Sequence, residues 1–199
     1  MADPILFPGT VEWSGENPGI SLKTDPGGPF TTLASFFRVV LSPHGAGHAL
    51  VLMRAPADAA GDNICYTDNE PLARYLVSGY VAHFGAWRNT PGLSGLKYVQ
   101  IDGVQASGDP ATSYSETVTA KETVVRLTWS GLGKPFCFAL PPEMSATGQH
   151  YMPSLFIGCD AATITVNGET LPGKPEPRTM AGQAISTAML AFSETWIKV

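Results

Sequence analysis

Charge is scarce in this 199-residue chain. Asp, Glu, Lys and Arg make up 15% of it, and the 12 Lys and Arg residues are spread thinly. A typical globular sequence carries roughly a quarter. With a net charge of -5 and no basic run, no nucleic-acid partner is expected. Long apolar runs are also missing: none approaches the ~18 residues needed to span a bilayer, so no membrane partner is expected either. Met1–Pro8 has no basic start and no apolar stretch, and so predicts no signal peptide. Cysteine is limited to Cys65, Cys137 and Cys159, an odd number without C-x-x-C spacing. This predicts free buried thiols in a reducing compartment and makes the cytoplasm the expected location. A chain this poor in charge tends to hide surface between copies, which predicts a homodimer.

Several chemical signatures are absent too. No Gly-x-Ser-x-Gly elbow points to a hydrolase serine. No Gly-x-Gly-x-x-Gly joins a strand to a helix. Gly131-Leu132-Gly133-Lys134-Pro135 has a superficial likeness to a phosphate loop, but it lacks the spacing, and Pro135 bars the helix that must follow. No cofactor is therefore expected. His44 and His48 have the spacing of a helical metal pair, yet Pro43 and Gly45-Ala46-Gly47 put them in a turn, so no metal is expected.

Gly (21) and Pro (17) are plentiful and punctuate short apolar segments, the pattern of an all-β chain. Strands are predicted at Ile5–Trp13, Leu33–Leu41, His48–Ala55, Asn63–Thr67, Leu96–Asp102, Ser113–Ala120, Thr123–Trp129, Phe136–Leu140, Ser154–Cys159, Ala162–Val166 and Ala184–Lys198. Thr123, Val125, Leu127 and Trp129 alternate with Val124, Arg126 and Thr128, giving one dry and one wet face. Asn167-Gly168 predicts a type I′ hairpin. The stretch from Pro172 to Arg178 reads as a crossing loop. One helix is predicted over Glu70–Trp87, where Leu72, Tyr75, Leu76, Tyr80, His83, Phe84 and Trp87 form an apolar stripe. Thr67 or Asn69 would cap it.

No composition shift divides the chain, so residues 1–199 are read as a single β-rich domain. The expected fold is an antiparallel β-barrel with one packed α-helix, the alternative being a β-sandwich. In general shape such a barrel is similar to the lipocalin-like barrels, although no motif of that group is present. A barrel of this size can hold a small ligand in its middle.

The final segment carries the main clue to a site. In a continuous strand, Ala188, Leu190, Phe192, Glu194 and Trp196 would share one face. An acid among such neighbours must find a partner, take up a proton or meet a ligand. Arg38, between Phe36 and Val40, and Arg54, on the face of Leu50 and Leu52, are candidates to hold an anionic end of that ligand. Tyr66, Phe192 and Trp196 would form the wall with Phe36, and His150 is a candidate contact from a loop. The expected function is the binding of a small apolar or aromatic ligand. The alternative is a cofactor-free isomerase, cyclase, hydratase or decarboxylase with Glu194 as general acid or base and His83 or His150 as its counterpart. Glu116, Glu122 and Glu194 could also supply a two-carboxylate glycosidase site.

Overall fold

The computed structural model describes residues 7–180 and 182–199. The predicted absence of a signal peptide and the first two residues of the predicted strand Ile5–Trp13 fall on residues outside that set. The first half of the described chain forms β1 (Thr10–Glu16), β2 (Gly19–Leu22), β3 (Thr32–Leu41), β4 (Gly47–Met53), β5 (Asn63–Thr67) and helix α1 (Glu70–Gly79). It continues through β6 (Lys97–Gln100), β7 (Gly103–Asp109), β8 (Ser113–Ala120), β9 (Thr123–Leu132) and β10 (Phe136–Leu140). The last part contains β11 (His150–Val166), β12 (Glu169–Thr170), β13 (Pro177–Met180), β14 (Gln183–Ser186), β15 (Ala188–Phe192) and β16 (Glu194–Lys198).

The chain is all-β with one α-helix. Fourteen strands share one sheet, with the path β6-β5-β4-β3-β1-β16-β11-β9-β8-β7, while β13 and β14 form a separate ribbon. The ring expected of a barrel is uneven. Strand length runs from 2 residues in β12 to 17 in β11, and β5 pairs with β6 in parallel while its other partner, β4, is antiparallel.

Three long strands are interrupted. β1 and β2 run end to end along β3, broken at Asn17-Pro18. β16 and β15 run end to end along β11, broken at Ser193. β9 and β10 flank the other edge of β11, broken between Leu132 and Phe136. At β1 the irregularity falls between Ser14 and Gly15. A side chain on Gly15 would overlap the Arg38 carbonyl oxygen, so only glycine allows β3 to come this close.

Each face of the sheet builds its own core. The inner face joins two wings, the strands β2 to β5 and the strands β8 to β11, through Phe36, Leu50, Leu52, Leu127, Trp129 and Leu190. On the outer face Phe37, Val51 and Cys65 meet Leu72 and Leu76 of α1. Strict alternation along β3 and β4 produces both cores from single strands. The alternation predicted for β9 is present: Val125, Leu127 and Trp129 are buried, and Val124 and Arg126 are exposed.

Asn69, rather than Thr67, caps α1, accepting from the Leu72 N–H at 3.1 Å. The helix ends at Gly79, short of the predicted Trp87. Gly79 is a weak helix residue, and the ring of Tyr80 turns inward against Trp13 and Trp196, with its hydroxyl donating to Glu12 at 2.7 Å. The apolar stripe then continues as a tight turn at Val81–His83 and a loop to Trp87. The segment read as a crossing loop ends inside β13, and the strands predicted at Ser154–Cys159 and Ala162–Val166 are one strand, β11. The final predicted strand is three pieces.

The break at Ser193 changes which residues share a face. Ser193 has φ 52°, in the left-handed region. Leu190 and Phe192 face the inner core, while Met189, Glu194 and Trp196 lie on the outer face. Phe192 is therefore not a neighbour of Glu194 on one surface, as unbroken alternation would require. Ser193→Gly should leave stability unchanged or raise it by up to about 1 kcal/mol, and Ser193→Val should lower it by about 1–2 kcal/mol. Urea unfolding of the two variants checks this; equal stability would argue against a conformational constraint at this exposed position.

Candidate functional site

Glu194 opens β16, pairs across the sheet with Gly15, and is 3% exposed. Its Oε1 accepts from Trp196 Nε1 at 2.7 Å and from Asn17 Nδ2 at 3.5 Å. Asn17 is held in turn by Ser35 Oγ, which donates to its Oδ1 at 2.7 Å, and by its own N–H, which donates to the Ala191 carbonyl at 2.9 Å. Oε2 of Glu194 has no hydrogen-bond partner among the described residues. Burial pushes the carboxyl pKa up to about 7, only partly countered by the hydrogen bonds from Trp196 and Asn17.

Glu194 lines a cavity of about 350 Å³ on the outer face of the sheet. The floor comes from β2, β3, β11, β15 and β16, and three covering pieces close over it. One is the segment from His83 to Arg88 that follows α1. The second is the loop from Leu140 to Ala146. The third is the β13–β14 ribbon, which brings Arg178 and Met180. The lining is aromatic and thioether-rich: Phe84, Trp87, Trp196, Met152, Phe156 and Met189. The ring centroids of Phe84 and Trp196 are 6.0 Å apart.

Of the predicted site residues, the structure brings Glu194, Trp196 and His83 to this cavity. His83 is an exposed residue at the rim. The other candidates lie elsewhere. Arg38 is on the inner face, where its Nη2 donates to both oxygens of Glu116 at 2.9 Å and its Nη1 pairs with Glu16. Arg54 forms a surface ion pair with Asp62. Tyr66 is buried in the inner core, and Phe192 meets Tyr114 edge-on with ring centroids 5.7 Å apart. His150 is buried beside Trp196, but Glu12 Oε2 at 2.8 Å and Thr147 Oγ1 at 2.6 Å take its two ring nitrogens. Burial would raise the Glu12 pKa, but hydrogen bonds from Tyr80 and His150, together with nearby positive charge, lower it overall.

Sequence reasoning missed Asn17, Ser35, Arg178 and the methionines. Asn17 lies in Asn-Pro-Gly, which reads as a turn, and Arg178 closes a proline-rich stretch that reads as a loop. Among the described residues no group of three or more His, Cys, Asp or Glu side chains could hold a metal ion. His48 instead pairs with Asp68 at 2.7 Å, and the His44 ring packs on Tyr75.

The raised pKa has a stability consequence. Glu194 titrates near 4.5 when unfolded and near 7 when folded. Below the lower value both states carry the proton and the site costs nothing. As pH rises, the unfolded state releases its proton first. Stability falls through this window, and above about pH 7 the loss reaches roughly 3 kcal/mol. Glu194→Gln keeps an acceptor for Trp196 and removes the titration. Urea unfolding should show the variant within about 1 kcal/mol of wild type at pH 5, and more stable by up to roughly 3 kcal/mol at pH 8. A difference that does not change with pH would mean that Glu194 is not held in this way.

Comparison of the chain with protein-family models, with curated proteins and with solved structures found no match.

Proposed function

We propose that the protein binds a small, largely apolar or aromatic molecule in the outer-face cavity, and that a hydrogen-bond donor on this ligand meets Oε2 of Glu194. One observation carries the reading: a buried carboxylate, half satisfied by Trp196 and Asn17, lines a cavity walled by aromatic rings and thioethers. Binding sites typically combine such walls with a few fixed polar groups, in volumes of roughly 300–1,000 Å³. Methionine is flexible and polarizable, so thioether surfaces adapt to varied guests and favour contact with aromatic rings. A lipocalin-like barrel would hold its ligand between the wings. Here that region is occupied by Phe36, Trp129 and Leu190, so in this reading the sheet supports the site rather than containing it. Cys65 and Cys159 are buried free thiols, as expected, whereas Cys137 is exposed because it alternates outward on β10; the two buried thiols support a reducing, cytoplasmic setting, and the low charge supports a homodimer.

A second reading keeps the cavity and adds chemistry. A carboxyl whose pKa is about 7 can give or take a proton at neutral pH, and His83 lies on the same cavity. An isomerase, cyclase, hydratase or decarboxylase would use Glu194 in that way. Its mark would be a pH–rate profile that breaks near 7 and is lost in Glu194→Gln, with ligand affinity retained.

Titration of 2-phenylethylamine against the protein's tryptophan fluorescence, which includes Trp87 and Trp196 lining the cavity, tests the binding reading. Affinity should rise with pH through about 7 as Glu194 ionises, and Glu194→Gln should weaken binding at pH 8 by about 10- to 100-fold. Binding of equal strength in the variant would remove Glu194 from the site.

A further inference from the structure

We propose that Arg178 is the anion receptor of the cavity, so that its ligand is amphoteric: an apolar or aromatic body bearing a carboxylate for Arg178 and a hydrogen-bond donor for Glu194. The inference rests on the binding reading above and names the class of molecule that the site takes.

Three observations support it. First, Arg178 and Glu194 line the same cavity, yet no ion pair joins them, and Arg178 has no acidic partner among the described residues. Second, the guanidinium is exposed and has few acceptors within the protein. A guanidinium carries five N–H donors. Nε donates to the Ser186 carbonyl at 3.1 Å, and Nη2 otherwise reaches only the sulfurs of Met189 at 3.1 Å and Met180 at 3.9 Å. Thioether sulfur is a weak acceptor, so the outer fork of the guanidinium is free to grip a carboxylate through two N–H bonds. Arg178 is exposed, so a carboxylate can reach this fork without displacing neighbouring side chains.

Third, the ribbon that carries Arg178 is fixed in place. Arg178 pairs with Ile185 across the ribbon, and Ile185 seats on Gly158 of β11 so closely that a side chain on Gly158 would stand 2.7 Å from it. At the base of the ribbon Glu176 and Thr187 exchange main-chain and hydroxyl hydrogen bonds of 2.8 and 2.9 Å. A main chain anchored this way loses little further freedom when the side chain it carries binds.

Isothermal titration of three probes of similar size tests the proposal: 2-phenylethylamine, 3-phenylpropionate and phenylalanine. Wild type should bind phenylalanine more tightly than either singly charged probe. Arg178→Met should weaken phenylalanine and 3-phenylpropionate by about tenfold or more and leave 2-phenylethylamine within about twofold. Arg178→Lys, which keeps the charge without the fork, should fall between the two. Thermal melts confirm that the variants are folded. If 2-phenylethylamine binds through Glu194 while Arg178→Met leaves the anionic probes unchanged, the receptor role is overturned and the cavity reading stands. If none of the three binds wild type, both fall.

Discussion

A β-strand presents alternate residues to opposite faces, and this rule constrains everything the molecule does with its long strands. A strand that obeys it throughout commits every second side chain to one core. Here β15 and β16 serve both: Leu190 and Phe192 go to the inner core, Glu194 and Trp196 to the outer one. Ser193, with its left-handed backbone, shifts the alternation by one residue. Breaks at Asn17-Pro18, beside β3, and between Leu132 and Phe136, beside β11, interrupt two further strand pairs while β3 and β11 run on unbroken. The break at Asn17 also places the amide that helps to hold Glu194.

The buried acids of this protein belong to two kinds. Glu116 meets Arg38 through both oxygens and also accepts from the Tyr114 hydroxyl at 2.8 Å. Burial raises its pKa, and those contacts oppose the rise. It ties β3 to β8 and is fully engaged. Glu194 lacks a cationic partner among the described residues and keeps one oxygen open. A group left in that condition works against stability, and such groups concentrate where a protein handles something other than itself. The contrast rests on partners rather than on burial, since both acids are almost fully enclosed.

Much of the architecture was legible in the residues. Asn63–Thr67, Ser113–Ala120 and Phe136–Leu140 fall on the predicted bounds, because local alternation and flanking turns decide such segments. Asn167 and Gly168 both have positive φ, as a type I′ turn demands. β2 and β7 were missed: each is short or polar and owes its state to a neighbour's open edge. That Glu194 is a buried acid was legible from Trp196 and the β-rich run around it. Its true companions were not. A single left-handed serine carries no signature in composition, and it moved Phe192 to the other face. Arg178 was hidden by prolines that rule out a central strand but permit an isolated ribbon.

The position of β16 bears on how the molecule is made. It lies between β1 and β11, with Trp13 opposite Trp196 and Tyr151 opposite Ile197. During vectorial synthesis β1 emerges before β16 and keeps an open edge until β16 has left the ribosome. Contacts so distant along the chain make closure slow, and the waiting edge is open to pairing with other chains. The centre of the sheet thus closes only when β16 arrives, and a nascent chain stalled before Glu194 is one that chaperones would have to shield.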